Sequence, residues 1–124
     1  MKKQAGFTLI ELVAVLVILA LLGAMAVPRF IDVSNDALVA AQNGSIAAVR
    51  TGHAMAIAEL KRVPRLDELV NYVGGQNVSL PAGGNGVQVD INNVGYIIQT
   101  YTDTTCKTAT AAADAPVRCV GDIL

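Results

Sequence analysis

The chain has 124 residues, 53% of them apolar, 4% aromatic and 15% charged, with a formal charge of −1. That leaves room for one domain and falls short of the roughly 25% charged residues of an ordinary soluble one. So nearly neutral a chain lacks the excess of lysine and arginine that binds phosphates, and nucleic-acid binding is not expected.

The first element accounts for the apolar excess. Met1-Lys2-Lys3-Gln4-Ala5-Gly6 is short and basic, and from Phe7 to Val27 the 21 residues carry one charge, Glu11. As a helix this stretch rises about 31 Å, the thickness of a bilayer's hydrocarbon core. Lys2 and Lys3 predict that its N-terminal end stays in the cytoplasm and that the residues after Val27 lie outside. A secretory signal has its apolar stretch before the small residues at the cleavage site. Here the small residue, Gly6, comes first. A cut after Gly6 would discard the basic leader, keep the helix and expose Phe7. It would also leave 7 Lys and Arg against 10 acids, a formal −3.

Gly6-Phe7-Thr8-Leu9-Ile10-Glu11-Leu12, the apolar run behind it and Pro28 closely resemble the prepilin signature of type IV pilins and type II secretion pseudopilins. The resemblance covers about the first quarter of the chain. It implies cleavage between Gly6 and Phe7 by a membrane-embedded prepilin peptidase, N-methylation of Phe7, and assembly by machinery in the inner membrane. The expected organisation is a leader at 1–6, a transmembrane and filament-core helix at 7–30 and a globular head at 31–124.

Glu11 is the residue on which function is expected to turn. A carboxylate at the centre of a lipid-facing helix costs about 2.5–3.5 kcal/mol even on insertion scales. No lysine or arginine lies three or four residues away. The expectation is a partner from another chain, or a protonated carboxyl while the subunit sits in lipid. In pilin-like filaments the implied partner is the free amine of Phe7 on a neighbour, a pairing that favours register more than net stability. Gly23 and Pro28 interrupt the helix, since glycine costs about 1 and proline about 3 kcal/mol in a helix interior. A bend is expected there, and the resemblance implies melting on assembly.

From Ile31 to about Lys61 the chain is alanine-rich, with Leu38, Ala41, Ser45, Val49, Gly52 and Ala56, and Ile46, Val49, His53, Ile57 and Leu60, recurring at helical steps. One helix from Phe7 to Lys61 is predicted, with Asn43-Gly44 and Gly52 as points of close packing and His53 at the core or its rim. Pro64 ends it. Leu66 to Val73 predicts a second helix stopped by Gly74-Gly75. Asn77–Leu80, Val87–Ile91 and Tyr96–Tyr101 predict antiparallel strands separated by turn-rich segments. The fold class is α+β: a long N-terminal helix, transmembrane first and amphipathic second, packed on a small antiparallel sheet with a C-terminal disulfide loop.

That loop rests on Cys106 and Cys119. In an exported domain the two are read as a disulfide, with two free thiols as the alternative. Closing a loop of about 14 residues is worth roughly 3 kcal/mol in the chain-entropy model. Type IV pilins commonly close such a loop at the filament surface, whereas many pseudopilins bind calcium there instead. Asp90, Asp103, Asp114 and Asp122 lack ligand spacing, so no metal is expected, and no cofactor. Ser34, Ser45 and Ser79 share one histidine and form no evident nucleophile–base set. No enzyme is expected.

The resemblance implies a structural subunit that inserts in the bacterial inner membrane as a precursor. It would then polymerise with copies of itself into a surface filament for adhesion, twitching motility or DNA uptake. The alternatives are a pseudopilin of a periplasmic pseudopilus and a minor or competence pilin.

Overall fold

In the computed structural model the described residues are 6–75 and 77–124, those of 27–32 by backbone only. The remaining leader residues, Lys2 and Lys3 among them, lie outside this description, as does the side chain of Pro28, where a bend was expected. Helix α1 is Leu9–Leu60. The chain packs as two units, Met1–Ala37 and Leu38–Leu124.

In the first unit, Leu9–Ala26 has a mean hydropathy of 2.8 and none of it is buried. Phe7 is 94% exposed and Leu9 80%. Every apolar side chain described on this stretch faces outward, as a helix made for lipid or for other helices requires.

In the second unit, α1 buries a stripe of Ile46, Val49, Gly52 and Ala56, with Leu38, Ser45, His53 and Leu60 half-buried beside it. The stripe is narrower than predicted, because Ala41 and Ile57 are exposed. Lys61 adopts a φ of 57°, in the left-handed region, and there α1 stops. Helix α2, Leu66–Val73, buries Leu66, Leu69 and Val73. It crosses α1 at Gly52, where an added Cβ would lie 3.1 Å from the Tyr72 carbonyl oxygen and from the Val73 Cα. At Gly44 the same atom would meet nothing within 4 Å, so the close-packing point is Gly52 alone.

Four antiparallel strands follow in chain order across the sheet: β1 Val78–Ser79, β2 Gly86–Ile91, β3 Val94–Tyr101 and β4 Cys119–Ile123. Ile91 pairs with Val94, so Asn92 and Asn93 form a two-residue hairpin turn. Their φ angles of 53° and 64° are the left-handed values such turns take. Val87, Val89 and Ile98 point from the sheet into the core, where they join Ile46, Val49, Leu66, Leu69, Val73 and Val117. The first three strands lie where strands are predicted; β4, beginning at Cys119, is an addition to that prediction.

Candidate functional site

The N-terminal site is built by four residues in a row. Thr8-Leu9-Ile10-Glu11 is a capping box, the pattern in which a hydroxyl and a carboxylate reciprocally satisfy the first free N–H groups of a helix. Thr8 Oγ1 accepts the Glu11 N–H at 3.3 Å. Glu11 Oε2 accepts the Thr8 N–H at 2.8 Å and the Thr8 hydroxyl at 2.9 Å. A carboxylate in the first turn also faces the positive end of the helix dipole. The carboxylate expected to find nothing within its own chain therefore has Thr8. It gains hydrogen bonds but no counter-charge: among the described residues no ion pair involves Glu11.

Around this cap the surface is apolar. Phe7, Leu12, Ala14 and Val15 border Glu11 on one open face of the helix. Phe7 and Glu11 thus stand together at the start of α1, with Gly6 exposed immediately before them. Gly23 lies within the helix, and an added Cβ there would meet nothing within 4 Å. Thr8 is the residue that sequence reasoning missed, and the Thr-x-x-Glu spacing was the signal that could have found it.

The second constellation is the C-terminal loop. Cys106 and Cys119 form a disulfide with Cα atoms 5.5 Å apart. The bridge ties the loop to the first residue of β4, which pairs with Tyr101 at the end of β3. Between the cysteines the main chain fastens three other elements. The carbonyls of Ala115 and Ala113 accept the N–H groups of Leu66 and Asp67 at 3.0 and 2.8 Å, capping the start of α2. Val117 donates its N–H to the Pro64 carbonyl at 2.8 Å. Its own carbonyl lies 2.8 Å from His53 Nε2 on α1. Only a protonated Nε2 can donate to that oxygen, so the single histidine is a rim residue clasping the loop. Inside, the hydroxyls of Thr100 and Thr110 meet at 2.7 Å, both buried.

Asp103 organises the entry to this loop. Its carboxylate accepts N–H groups from Thr105, Lys107 and Thr108 at 3.1, 3.0 and 2.8 Å, and the hydroxyl of Thr105 as well. Led by the Thr105 hydroxyl, these donors hold its pKa down at about 2. At the start of α2, Arg62 donates to Glu68, as does the Arg65 N–H at 2.9 Å, and these hold Glu68 at about 2. Asp103 lies in the disulfide loop's entry, Asp90 on β2, and Asp122 beside Arg50 at 3.1 Å. Among the described residues no three acidic, histidine or cysteine side chains gather as metal ligands would.

The family model of the prokaryotic N-terminal methylation motif matches residues 1–27. The chain is 45% identical over 74 residues to the type IV narrow pilus major component of Thermus thermophilus, a match covering 59% of this chain and 64% of that protein. It is 38% identical over 63 residues to two fimbrial proteins of Pseudomonas aeruginosa, covering 51% of this chain and 41% of theirs. The chain therefore spans less than two thirds of the length of these relatives. No solved structure matches it.

Proposed function

We propose that this type IV pilin-like chain is a structural subunit of a type IV pilus, assembled through its N-terminal helix. The carrying observation is a methylation motif at residues 1–27 that runs into a wholly exposed apolar helix bearing a single acid. A helix with 18 successive residues of mean hydropathy 2.8 and no cover from its own chain needs lipid or other helices around it. In this reading it has lipid as a precursor and sister helices in the fibre.

The precursor sits in the inner membrane with Lys2 and Lys3 in the cytoplasm. Prepilin peptidase cuts between Gly6 and Phe7 and methylates the new amine, and the assembly machinery then draws subunits into an extracellular filament. Glu11 meets the Phe7 amine of a neighbour as each subunit docks. Thr8 shapes this step: it holds the carboxylate at the helix start, beside Phe7, and the incoming amine supplies the missing charge. The Gly23–Pro28 stretch bends or unwinds as the helices pack. The disulfide loop belongs to the outer surface of the filament.

Sheared surface fibres, viewed by electron microscopy and analysed by N-terminal mass spectrometry, test the proposal. A fibre made mainly of this chain and beginning at methylated Phe7 is expected. Glu11→Leu is expected to leave the precursor in the membrane fraction while cutting fibre number at least tenfold. Wild-type fibre numbers from that variant would refute the pairing. Mature chain beginning at Met1 would refute the processing.

A further inference from the structure

Beyond the filament reading, the solvent face of the sheet carries a recess of about 430 Å³, within the range of small-molecule clefts. Asn77, Gln88, Asp90, Asn92, Asn93 and Gly95 line it. They come from the residue before β1, the outward side of β2, the hairpin turn and the start of β3. Gln88 and Asp90 alternate with buried Val87 and Val89, so the strand's pleat turns both outward. Asp90 and Gly95 are register partners. The Asp90 N–H donates to the Asn77 carbonyl at 2.9 Å, which fixes the edge of the recess.

The left-handed turn explains why asparagine stands at 92 and 93. It does not explain why three more amide and acid side chains converge on the same spot.

The chemistry of the lining selects its guest. Four carboxamides and one carboxylate offer many donors and acceptors, and Gln88 Nε2 to Asp90 Oδ1, at 3.2 Å, is the one side-chain bond found among them. Lysine, arginine and histidine are absent from the lining, so phosphate or sulfate would meet a lone negative charge. One carboxylate is too few for a hard divalent cation, which takes several oxygen ligands. The surface is almost wholly polar, so an apolar guest would bury little. What remains is a neutral, hydroxyl-rich molecule whose paired hydroxyls match planar amide and carboxylate groups.

Gly95 forms the floor. A Cβ there would lie 2.7 Å from Gln88 Nε2 and 3.1 Å from Asp90 Oδ1, so any larger residue would fill the recess and displace both side chains. We propose that this recess is a saccharide-binding site. One such site is weak. A polymer presenting it on every subunit would bind a glycan-covered surface far more tightly, because each later contact is made at high effective concentration.

The test uses the full chain in a zwitterionic detergent free of sugar head groups, so it does not depend on whether fibres form. Methyl mannoside, methyl galactoside and N-acetylglucosamine are titrated while proton–nitrogen correlation spectra are recorded. The expected result is that at least one sugar saturably shifts the side-chain amides of Asn77, Gln88, Asn92 and Asn93 and the backbone amide of Gly95. Gly95→Ala removes no polar group and presses only on the side-chain ends of Gln88 and Asp90, both on the solvent face, so the rest of the spectrum should hold. It is expected to weaken binding by roughly tenfold or more, and Asp90→Ala likewise. The proposal is overturned if none of the three sugars shifts these resonances, if both variants bind as the wild type does, or if calcium chloride or inorganic phosphate saturates the same resonances more tightly than every sugar.

Discussion

The two units of this chain are ordered by opposite means. From Phe7 to Ala37 every described side chain is exposed, and order comes from helix hydrogen bonds and one capping box. From Leu38 to Leu124 order comes from contacts distant in sequence: a core joining both helices to the sheet, and a loop whose carbonyls and N–H groups reach elements some fifty residues away. The first unit finishes its packing only against something else. The second is finished within itself, and substitutions should divide along that line.

The largest expected effect is Leu66→Ala, at a fully buried position. It should destabilise the head by about 2–5 kcal/mol in denaturant unfolding. Leu16→Ala, on the exposed stretch, should change that same transition by less than about 0.5 kcal/mol. A comparable loss from Leu16→Ala would break the division. Replacing both Cys106 and Cys119 by serine should come next, at roughly 3 kcal/mol. Amide exchange at Leu66 and Asp67 should rise with it, because the carbonyls that cap α2 lie in the released loop.

Thr8→Ala should cost about 0.5–2 kcal/mol, felt only as faster exchange in the first turn of α1, with the head's unfolding unchanged. The smallest effect concerns acid. The Asp103 pKa is lowered from 3.8 to about 2 in the folded chain. Its contribution is therefore fully present above about pH 4 and is lost as pH falls toward 2. Exchange at Lys107 and Thr108 should quicken over that window, and Asp103→Asn should remove the pH dependence.

Local signals were the legible ones. Leu66–Val73, bracketed by Pro64 and the glycine pair, has the limits its apolar spacing predicts, and the turn at Asn92-Asn93 sits where two asparagines follow an alternating strand. β4 was not legible. Cys119-Val120-Gly121-Asp122-Ile123 has a glycine at its centre and an irregular register against β3, and contacts distant in sequence hold it as a strand: the disulfide and its pairing with Ile98, Thr100 and Tyr101. On α1 the alanines blurred the face: Ala41 and Ala56 look alike in sequence, and only the passage of α2 over Gly52 decides which of them is covered. At the N-terminal site, the partner of Glu11 is a neutral hydroxyl three residues before it, which a search for opposite charge does not find.

The loop between the cysteines is moored by its peptide groups and by two inward side chains, Thr110 and Val117. Leu66, Asp67 and His53 all attach to main-chain oxygens at Ala113, Ala115 and Val117. The side chains of Ala111, Ala113 and Asp114 face solvent and bear none of that load. What this patch displays to the outside can therefore be exchanged, in size or in charge, while the anchorage beneath it stays the same. In this patch the outward chemistry and the architecture reside in separate atoms.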